Sequence, residues 1–201
     1  MSSLDFQINE PWISPKPLWV SLPHTITFDQ NFKAFKFANP AIEDIMQLTP
    51  VLEKRRLQAQ VIKPIWEELL QRLGEAEARD IIDKAIRKAA IEEGHALAAS
   101  SPGGDTGMTA FIRLFDNWKT GGALEMQIHR TDAQTFDFDV TRCKYAEMYD
   151  EMGLAEIGDL LSCNRDGTFI EGYNPNIVMD RRDTIMQGQS RCTFRYRMKN
   201  S

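Results

Sequence analysis

The residue best placed for chemistry is Cys143, which stands where a predicted strand ends and a predicted helix begins. A thiol at a helix N-terminus faces the positive end of the helix dipole and unpaired backbone N–H groups, and both favour its thiolate form. The basic neighbours Arg142 and Lys144 act in the same direction. This position predicts a nucleophile, with the alternative that the cysteine only fills space in the core, as buried cysteines often do.

Two further cysteines lie in the last third of the chain. Cys163 follows a predicted helix, where the dipole opposes ionisation, so it is a second candidate nucleophile after Cys143. Cys192 shares the apolar face of a predicted strand with Phe194 and Tyr196, which indicates a core position. Metal-binding cysteines usually come in closely spaced pairs. Because these three do not, we expect no metal and no cofactor.

Candidate acids and bases accompany the cysteines in the sequence. His129 lies on the same predicted strand face as Asp137 and Asp139, where a carboxylate can orient an imidazole as a general base. An exposed strand histidine is the alternative. Glu147 and Asp166 carry paired oxygens that suit a substrate with an amidine-like cation, unless they belong to a solvated surface.

The composition is that of an ordinary globular chain, and it excludes one large class of partner. The 201 residues are 42% hydrophobic and 26% charged, with a formal net charge of −5. Nucleic-acid binding depends on a clustered positive surface, so this balance predicts no nucleic-acid partner. The basic clusters at residues 54–56 and 181–182 are interpreted as solvated faces.

Cysteine usage and the lack of targeting signals predict the compartment. The longest apolar runs stop well short of the ~20 residues that span a bilayer, and the N-terminus lacks a basic region followed by an apolar stretch. An odd number of cysteines without close pairs favours reduced thiols over disulfides. We therefore expect a cytoplasmic protein with no membrane partner.

Residues 1–40 form a predicted arm that is rich in proline and aromatic residues. Its prolines disfavour regular structure, and its aromatic side chains predict contact with the body of the protein or with a second subunit. A homo-oligomer formed through this arm is therefore one expectation. The arm contains Pro11, Pro15, Pro17, Pro23 and Pro40 among Trp12, Trp19, Phe28, Phe32, Phe35 and Phe37.

Residues 41–120 are predicted to be helical. The pair Thr49-Pro50 has the form of an N-cap and first helical residue, and apolar residues follow at helical spacing. Pro64 should bend this first helix, and Gly74 should end it. A second amphipathic helix over residues 75–99 is expected to pack antiparallel to the first, and a short third helix follows.

Residues 121–201 are predicted to contain an antiparallel sheet of about four strands. Apolar and polar residues alternate on both sides of a turn at residues 131–132, which predicts a hairpin. Pairing Arg130 with Gln134 places the apolar residues of both strands on one side. The opposed pairs are then Ile128 with Phe136, Met126 with Phe138 and Leu124 with Val140.

A second hairpin is predicted from residues 176–184 and 191–198. Two short helices, over residues 144–152 and 154–161, lie between the hairpins. The chain is therefore predicted to have an α+β fold, in which a helical N-terminal half precedes an antiparallel sheet with helices packed on one face. The expected organisation after the arm is one α+β domain over residues 41–201.

Four segments of the C-terminal half resemble the L-2-amino-thiazoline-4-carboxylic acid hydrolase family in order and spacing. They read FDVTRCKYAE at residues 138–147, GLAEIG at 153–158, LSCNRD at 161–166 and GQSRCTF at 188–194. The helical residues 52–97 resemble the N-terminal half of the family more loosely. The resemblance implies hydrolytic opening of a small heterocycle that contains a cyclic isothiourea, which gives an N-carbamoyl product.

The resemblance and the residue chemistry together predict a mechanism. The Cys143 thiolate attacks the amidine-type carbon, and an acid such as Asp166 or Glu147 holds the cationic nitrogens. Tyr145 or His129 moves protons, and water releases the carbamoyl product. The candidates for holding a substrate carboxylate are Arg142, Arg181 and Arg191.

A different class of function fits the same pattern. The sheet with its cysteines also resembles the small-molecule-binding domains named after the 4-vinyl reductases. A pocket would then hold a ligand that the cysteines only line. An enzyme should expose a thiol of low pKa beside an acid or base, whereas a binding domain can bury all three thiols.

Overall fold

The computed structural model describes residues 49–199, and the predicted arm of residues 1–40 lies outside the described residues. Within the described part, the predicted α+β fold is confirmed: helices come first, and a four-stranded antiparallel sheet follows. None of the helices in this part is long and apolar enough to cross a membrane. The elements are α1 (Val51–Leu73), α2 (Glu75–Ala99), α3 (Met108–Lys119), β1 (Leu124–Thr131), β2 (Thr135–Cys143), α4 (Lys144–Glu151), α5 (Asn164–Tyr173), β3 (Ile177–Asp180) and β4 (Cys192–Met198).

Helices α1 and α2 form the predicted antiparallel hairpin around Gly74. The φ angle of Gly74 is 79°, in the left-handed region that glycine adopts at little cost. Helix α1 continues through Pro64. Because the helices run in opposite directions, Arg55 near the start of α1 reaches Glu93 near the end of α2.

Helices α2 and α5 pack closely through two glycines. A Cβ atom on Gly94 would lie 2.3 Å from the carbonyl oxygen of Phe169, and one on Gly172 would lie 2.1 Å from a backbone oxygen of α2. Any side chain at either position would push the helices apart. The close approach brings Glu93 on α2 into contact with Arg165 on α5.

Helix α5 was not predicted from the sequence. In place of the predicted helix over residues 154–161, a 3₁₀ turn (Ala155–Ile157) and a π-helical turn (Asp159–Cys163) lead directly into α5. Cys163 therefore lies within a helical segment, and its predicted position at a helix C-terminus is wrong. The glycines in α5 weaken its sequence signal, but packing against α2 outweighs intrinsic propensity.

The strands are ordered β1-β2-β4-β3, and every neighbouring pair is antiparallel. Alternate residues of the central strands point toward the helices, and helices α3 and α5 cover that inner face with aromatic side chains. The shared core therefore lies between the sheet and these two helices. Its sheet residues include Phe136, Phe138, Val140, Cys192, Phe194 and Tyr196.

The first hairpin forms, but its predicted register is wrong. Arg130 lies opposite Asp137 instead of Gln134. The turn moves toward Gln134 because the Asp132 carboxylate accepts the Gln134 N–H at 2.9 Å, and the backbones of Asp132 and Thr135 hydrogen-bond to each other. The observed opposed pairs are Ile128 with Phe138, Met126 with Val140 and Leu124 with Cys143.

An irregularity in β1 changes where its side chains lie. The register shifts between Ile128 and Arg130, which leaves His129 as an extra residue on this edge strand. Ile128 was expected in the core, but it is 52% exposed. The β1 strand therefore contributes only its first apolar residues, Leu124 and Met126, to the core.

The second hairpin pairs β3 with β4, as predicted, although β3 is shorter than expected. Residues 181–184 leave the ladder, and the Thr193 side chain accepts the backbone N–H groups of Arg182 and Asp183 at 3.3 and 3.2 Å. This departure matters because the residue that directly follows β3, Arg181, turns inward.

Candidate functional site

A buried cluster of charges lies where α1, α2 and α5 meet. One carboxylate oxygen of Glu93 accepts hydrogen bonds from Arg55 Nη2 at 2.9 Å and from Arg165 Nη2 at 2.6 Å. The Arg55 and Arg165 side chains are only 5% and 9% exposed. Although burial alone would raise it, the charges of Arg55 and Arg165 lower the pKa of Glu93. Glu93 therefore stays ionised and fixes both guanidinium groups.

A second ion pair adjoins this cluster. Asp166, in the first turn of α5, hydrogen-bonds to Arg181, which also donates to the carbonyl oxygen of Cys163 at 2.7 Å. The Arg181 guanidinium lies 5.0 Å from the centre of the Phe194 ring. Burial raises the pKa of Asp166, although the positive charge of Arg181 opposes the change. A carboxyl group with a raised pKa exchanges protons closer to neutral pH, which suits general acid–base catalysis.

A narrow pocket, here called the arginine–aromatic pocket, separates these charges from an aromatic wall. Its interior measures about 20 Å³, and its empty space including the opening is about 320 Å³. The interior has room for about one water molecule. Trp118 in the wall is half-buried and stacks on Phe115 with ring centres 5.9 Å apart. The lining residues are Arg55, Glu93, Phe111, Phe115, Trp118, Arg165, Asp166, Phe169 and Tyr196.

The fold brings the three cysteine motifs together around Asp166. All three thiols are free, with Cys163 and Cys192 buried and Cys143 half-buried. Burial raises the pKa of each thiol, and the charge of Asp166 raises all three further. The expected thiol of low pKa is therefore not found among residues 49–199. Within the same residues, no three His, Cys, Asp or Glu side chains converge as metal ligands would.

The electrostatics of Cys143 are only partly as expected. It occupies the N-cap position of α4, and the backbone amides of Ala146 and Tyr145 do favour its thiolate. Burial outweighs them and raises the pKa of the Cys143 thiol to about 11. The thiol is then largely protonated at pH 7. The helix terminus acts in the predicted direction, but desolvation is the larger effect.

The basic neighbours of Cys143, Arg142 and Lys144, form hydrogen bonds with other groups. Arg142 lies on the surface, where its Nε donates to Glu147 at 2.7 Å and its Nη1 donates to Glu125 at 3.3 Å. Lys144 donates to the carbonyl oxygen of Gly121 at 3.0 Å. Arg142 and Glu147, both predicted to bind substrate, therefore bind each other outside the pocket.

Two other predicted catalytic residues occupy structural positions in the core. The Tyr145 hydroxyl donates to the Trp118 carbonyl oxygen at 3.1 Å, and burial raises the pKa of Tyr145. The Cys163 sulfur lies 3.5 Å from the sulfur of Met186, and burial raises the pKa of the Cys163 thiol. Both groups therefore stay protonated at neutral pH.

The predicted contact between His129 and Asp139 forms on the opposite face of the sheet from the pocket. His129 Nε2 lies 3.2 Å from Asp139, which also accepts hydrogen bonds from Arg191 at 3.3 Å and Arg195 at 2.9 Å. Burial opposes the change, but these hydrogen bonds lower the pKa of Asp139. His129 and Arg191 are therefore not brought to the cysteines. We refer to these four residues as the outer cluster.

The two arginines that line the pocket, Arg55 and Arg165, were not predicted as site residues. Residues 54–56 were interpreted as solvated, but the Arg55 side chain is only 5% exposed. Arg181, a predicted substrate-binding residue, is buried and pairs with Asp166. A signal for Arg55 exists, because it shares helical spacing with Ala59 and Trp66, which are also buried. Arg165 is buried through the unpredicted helix α5.

Comparison with protein families gives one match that spans this site. The model described as L-2-amino-thiazoline-4-carboxylic acid hydrolase matches residues 54–196, more than two thirds of the chain. The match contains all three cysteines and every residue that lines the arginine–aromatic pocket. No curated protein matches the chain.

Two solved structures are similar to the chain at 10% sequence identity. One is the phenol-responsive sensory domain of the transcription activator PoxR with phenol, with a TM-score of 0.45 over 69% of this chain and 73% of that chain. The other is a trafficking protein particle complex subunit 3 from Naegleria fowleri covalently bound to palmitic acid, with a TM-score of 0.46 over 73% of this chain and 96% of that chain. Likenesses at this level do not establish a shared function.

Proposed function

Because the chain belongs to the L-2-amino-thiazoline-4-carboxylic acid hydrolase family, we propose that it is a hydrolase that opens a small heterocycle with a cyclic amidine, isothiourea or urea group. The observation that carries this proposal is the environment of Asp166. This carboxyl group lines the arginine–aromatic pocket, and burial raises its pKa. Such a group can both remove and return a proton during hydrolysis.

The proposed reaction uses water as the nucleophile. Asp166 takes a proton from water, and the water oxygen adds to the amidine-type carbon of the ring. The bond from that carbon to the ring heteroatom then breaks, the second proton of the water passes from the added oxygen to the ring nitrogen as the carbonyl group forms, and Asp166 returns the first proton to the leaving heteroatom. Water is preferred over Cys143 because the pKa of this thiol is about 11 and Cys143 is not among the residues that line the pocket.

The pocket supplies complementary groups for such a ring. Its aromatic wall, which includes Phe115, Trp118 and Phe169, suits a planar heterocycle. The carboxyl group of Asp166 suits the nitrogens of an amidine, whose N–H groups match the oxygens of a carboxylate. A cyclic amidine or isothiourea is therefore favoured over a saturated ring without nitrogen donors.

A ring-opening assay on 2-aminothiazoline carboxylates, hydantoins and cyclic ureas tests the proposal. The enzyme, Asp166→Asn, Cys143→Ser and the control Asp159→Asn are compared after circular dichroism shows that each is folded. Asp159 forms an ion pair with Arg79 at 3.4 Å and does not line the pocket, so its variant should stay active. Asp166→Asn should reduce kcat by about 10²–10⁴-fold, the usual contribution of a general acid or base.

Each variant separates two mechanisms. Near-normal turnover by folded Asp166→Asn would contradict the assigned role of this carboxyl group. If Cys143→Ser loses as much activity as Asp166→Asn, the covalent thiolate route replaces the water route. Cys143→Ser with activity within a few-fold of the unaltered enzyme is the result expected here.

A non-catalytic small-molecule-binding domain is the second candidate function. It is favoured by the raised pKa values of all three thiols, because cysteines that only line a ligand site need not ionise. In this case the compounds of the same panel should raise the melting temperature without being hydrolysed. Measurable turnover that depends on Asp166 excludes this candidate.

A further inference from the structure

Arg165 keeps one hydrogen-bond donor unused in the core. Arg165 is only 7% exposed, and its Nε atom has no hydrogen-bond partner among residues 49–199. An unpaired buried N–H is unfavourable, and more so when it belongs to a charged group. Because Arg165 also lines the arginine–aromatic pocket, a bound group can supply the missing acceptor.

The charges around the pocket do not balance. Among residues 49–199, the guanidinium groups of Arg55, Arg165 and Arg181 form ion pairs with two carboxyl groups, those of Glu93 and Asp166. One positive charge is therefore in excess even when both acids are ionised, and protonation of Asp166 increases the excess. An uncompensated buried charge is unfavourable, so the pocket favours a negatively charged ligand.

Glu93 holds the unused donor in place. It accepts from Arg165 Nη2 at 2.6 Å, and this contact together with the tight packing of α2 against α5 fixes the plane of the guanidinium group. Glu93 is therefore a positioning residue for Arg165. The interior of about 20 Å³ is too small for a whole ring, so only an end group of a ligand can reach Arg165. The rest of the ligand would extend into the wider space of about 320 Å³ at the opening.

We propose that Arg165 recognises the carboxylate of a planar aromatic or heteroaromatic acid and thereby determines the charge specificity of this pocket. The identity of that acid as the substrate rests on the proposed function, but the binding of the acid does not. Arg142, Arg181 and Arg191 do not take this role. None of them lines the arginine–aromatic pocket.

Calorimetric titration with benzoate and benzamide tests the assignment. The two probes have nearly the same shape and differ in charge, and acetate serves as a probe that lacks the ring. The unaltered protein should bind benzoate at least about tenfold more tightly than benzamide or acetate, which corresponds to about 1.4 kcal/mol. Arg165→Gln should remove the preference for benzoate, whereas Arg87→Gln, an exposed ion-pair residue of α2, should retain it.

Several outcomes would overturn the assignment. The first is equal binding of benzoate and benzamide by the unaltered protein, and the second is unchanged benzoate binding by folded Arg165→Gln. The third is no binding of benzoate to the unaltered protein at millimolar concentration, which would leave an ordered water as the partner of Nε. If Arg165→Gln does not fold, the benzoate and benzamide comparison on the unaltered protein still decides. Absence of hydrolysis does not affect this test, because benzoate is not a substrate. If the unaltered protein hydrolyses a neutral ring but does not bind benzoate, only the role of Arg165 is overturned.

Discussion

The outer cluster around Asp139 and an inner cluster both pair carboxylates with arginines, but Asp139 and Asp166 behave oppositely. The inner cluster consists of Arg55, Glu93, Arg165, Asp166 and Arg181. Asp139 accepts hydrogen bonds from Arg191, Arg195 and His129, whose side chains are between one-third and about half exposed. Its pKa is lowered despite its own burial. Asp166 pairs with Arg181, whose side chain is buried. Burial raises the pKa of Asp166.

The difference shows that the surroundings of a carboxylate decide its chemistry. At Asp139, three donors that retain contact with water stabilise the charged form. At Asp166, desolvation outweighs the single ion pair, so the neutral form is favoured more than usual. The contact predicted from sequence, between His129 and Asp139, is therefore structural, whereas the group suited to proton transfer lies on the other side of the sheet.

The sharpest test of this contrast is to remove one carboxylate from each cluster and measure stability by urea denaturation. Glu93→Gln leaves Arg55 and Arg165 buried without a counter-charge, so it should lower the free energy of unfolding by about 3 kcal/mol. This lies at the lower end of the range for buried pairs because Glu93 is itself 32% exposed. Asp139→Asn should cost about 1 kcal/mol, since its arginines remain solvated. Equal losses would contradict the comparison.

A variant that increases the distance between α2 and α5 should disturb the inner cluster and leave the outer cluster unchanged. Gly172→Ala places a methyl group against the α2 backbone and should cost about 1–3 kcal/mol through overpacking. It should also weaken benzoate binding, because Glu93 and Arg165 are moved apart. The matched control is Gly167→Ala on the same helix, where the nearest atom is a flexible methionine Cε at 3.4 Å. A stable, fully binding Gly172→Ala variant would show that the close approach is not required.

The two carboxylates should also change stability with pH in opposite directions, and this is the smallest expected effect. The pKa of Asp139 is lowered, so its contribution is present above its unfolded pKa and is lost as the pH falls through its folded pKa. The pKa of Asp166 is raised, so stability decreases as the pH rises from its unfolded value through its folded value. Urea unfolding of Asp139→Asn and Asp166→Asn from about pH 3 to about pH 7 measures both contributions.

The two variants should deviate from the unaltered protein with opposite slopes. Asp139→Asn should lose less stability on acidification, and Asp166→Asn should lose less when the pH is raised. Asp80→Asn, which alters an exposed pair with Lys84, provides the baseline. Parallel curves for the two variants would remove the electrostatic distinction between the clusters.

Periodic segments could be predicted because their side-chain patterns are local. The helices of the α1–α2 hairpin and the inner face of β4 follow from spacings of about 3.6 and two residues. The register of the first hairpin could not be predicted, since it depends on the hydrogen bonds of Asp132 and on the extra residue His129. Several registers keep the same side chains on one face, so the apolar pattern cannot choose among them.

By itself, the sequence determined the family, the α+β class and the position of Cys143 where a strand ends and a helix begins. Only the tertiary structure decided which charged groups are buried. Arg55 lies on a predicted helix and Asp166 follows a predicted one, but their burial depends on how α1, α2 and α5 meet. The ionisation of Cys143 and Asp166 was undetermined for the same reason. Desolvation depends on every atom packed around a group, and those atoms come from segments that are distant in the sequence.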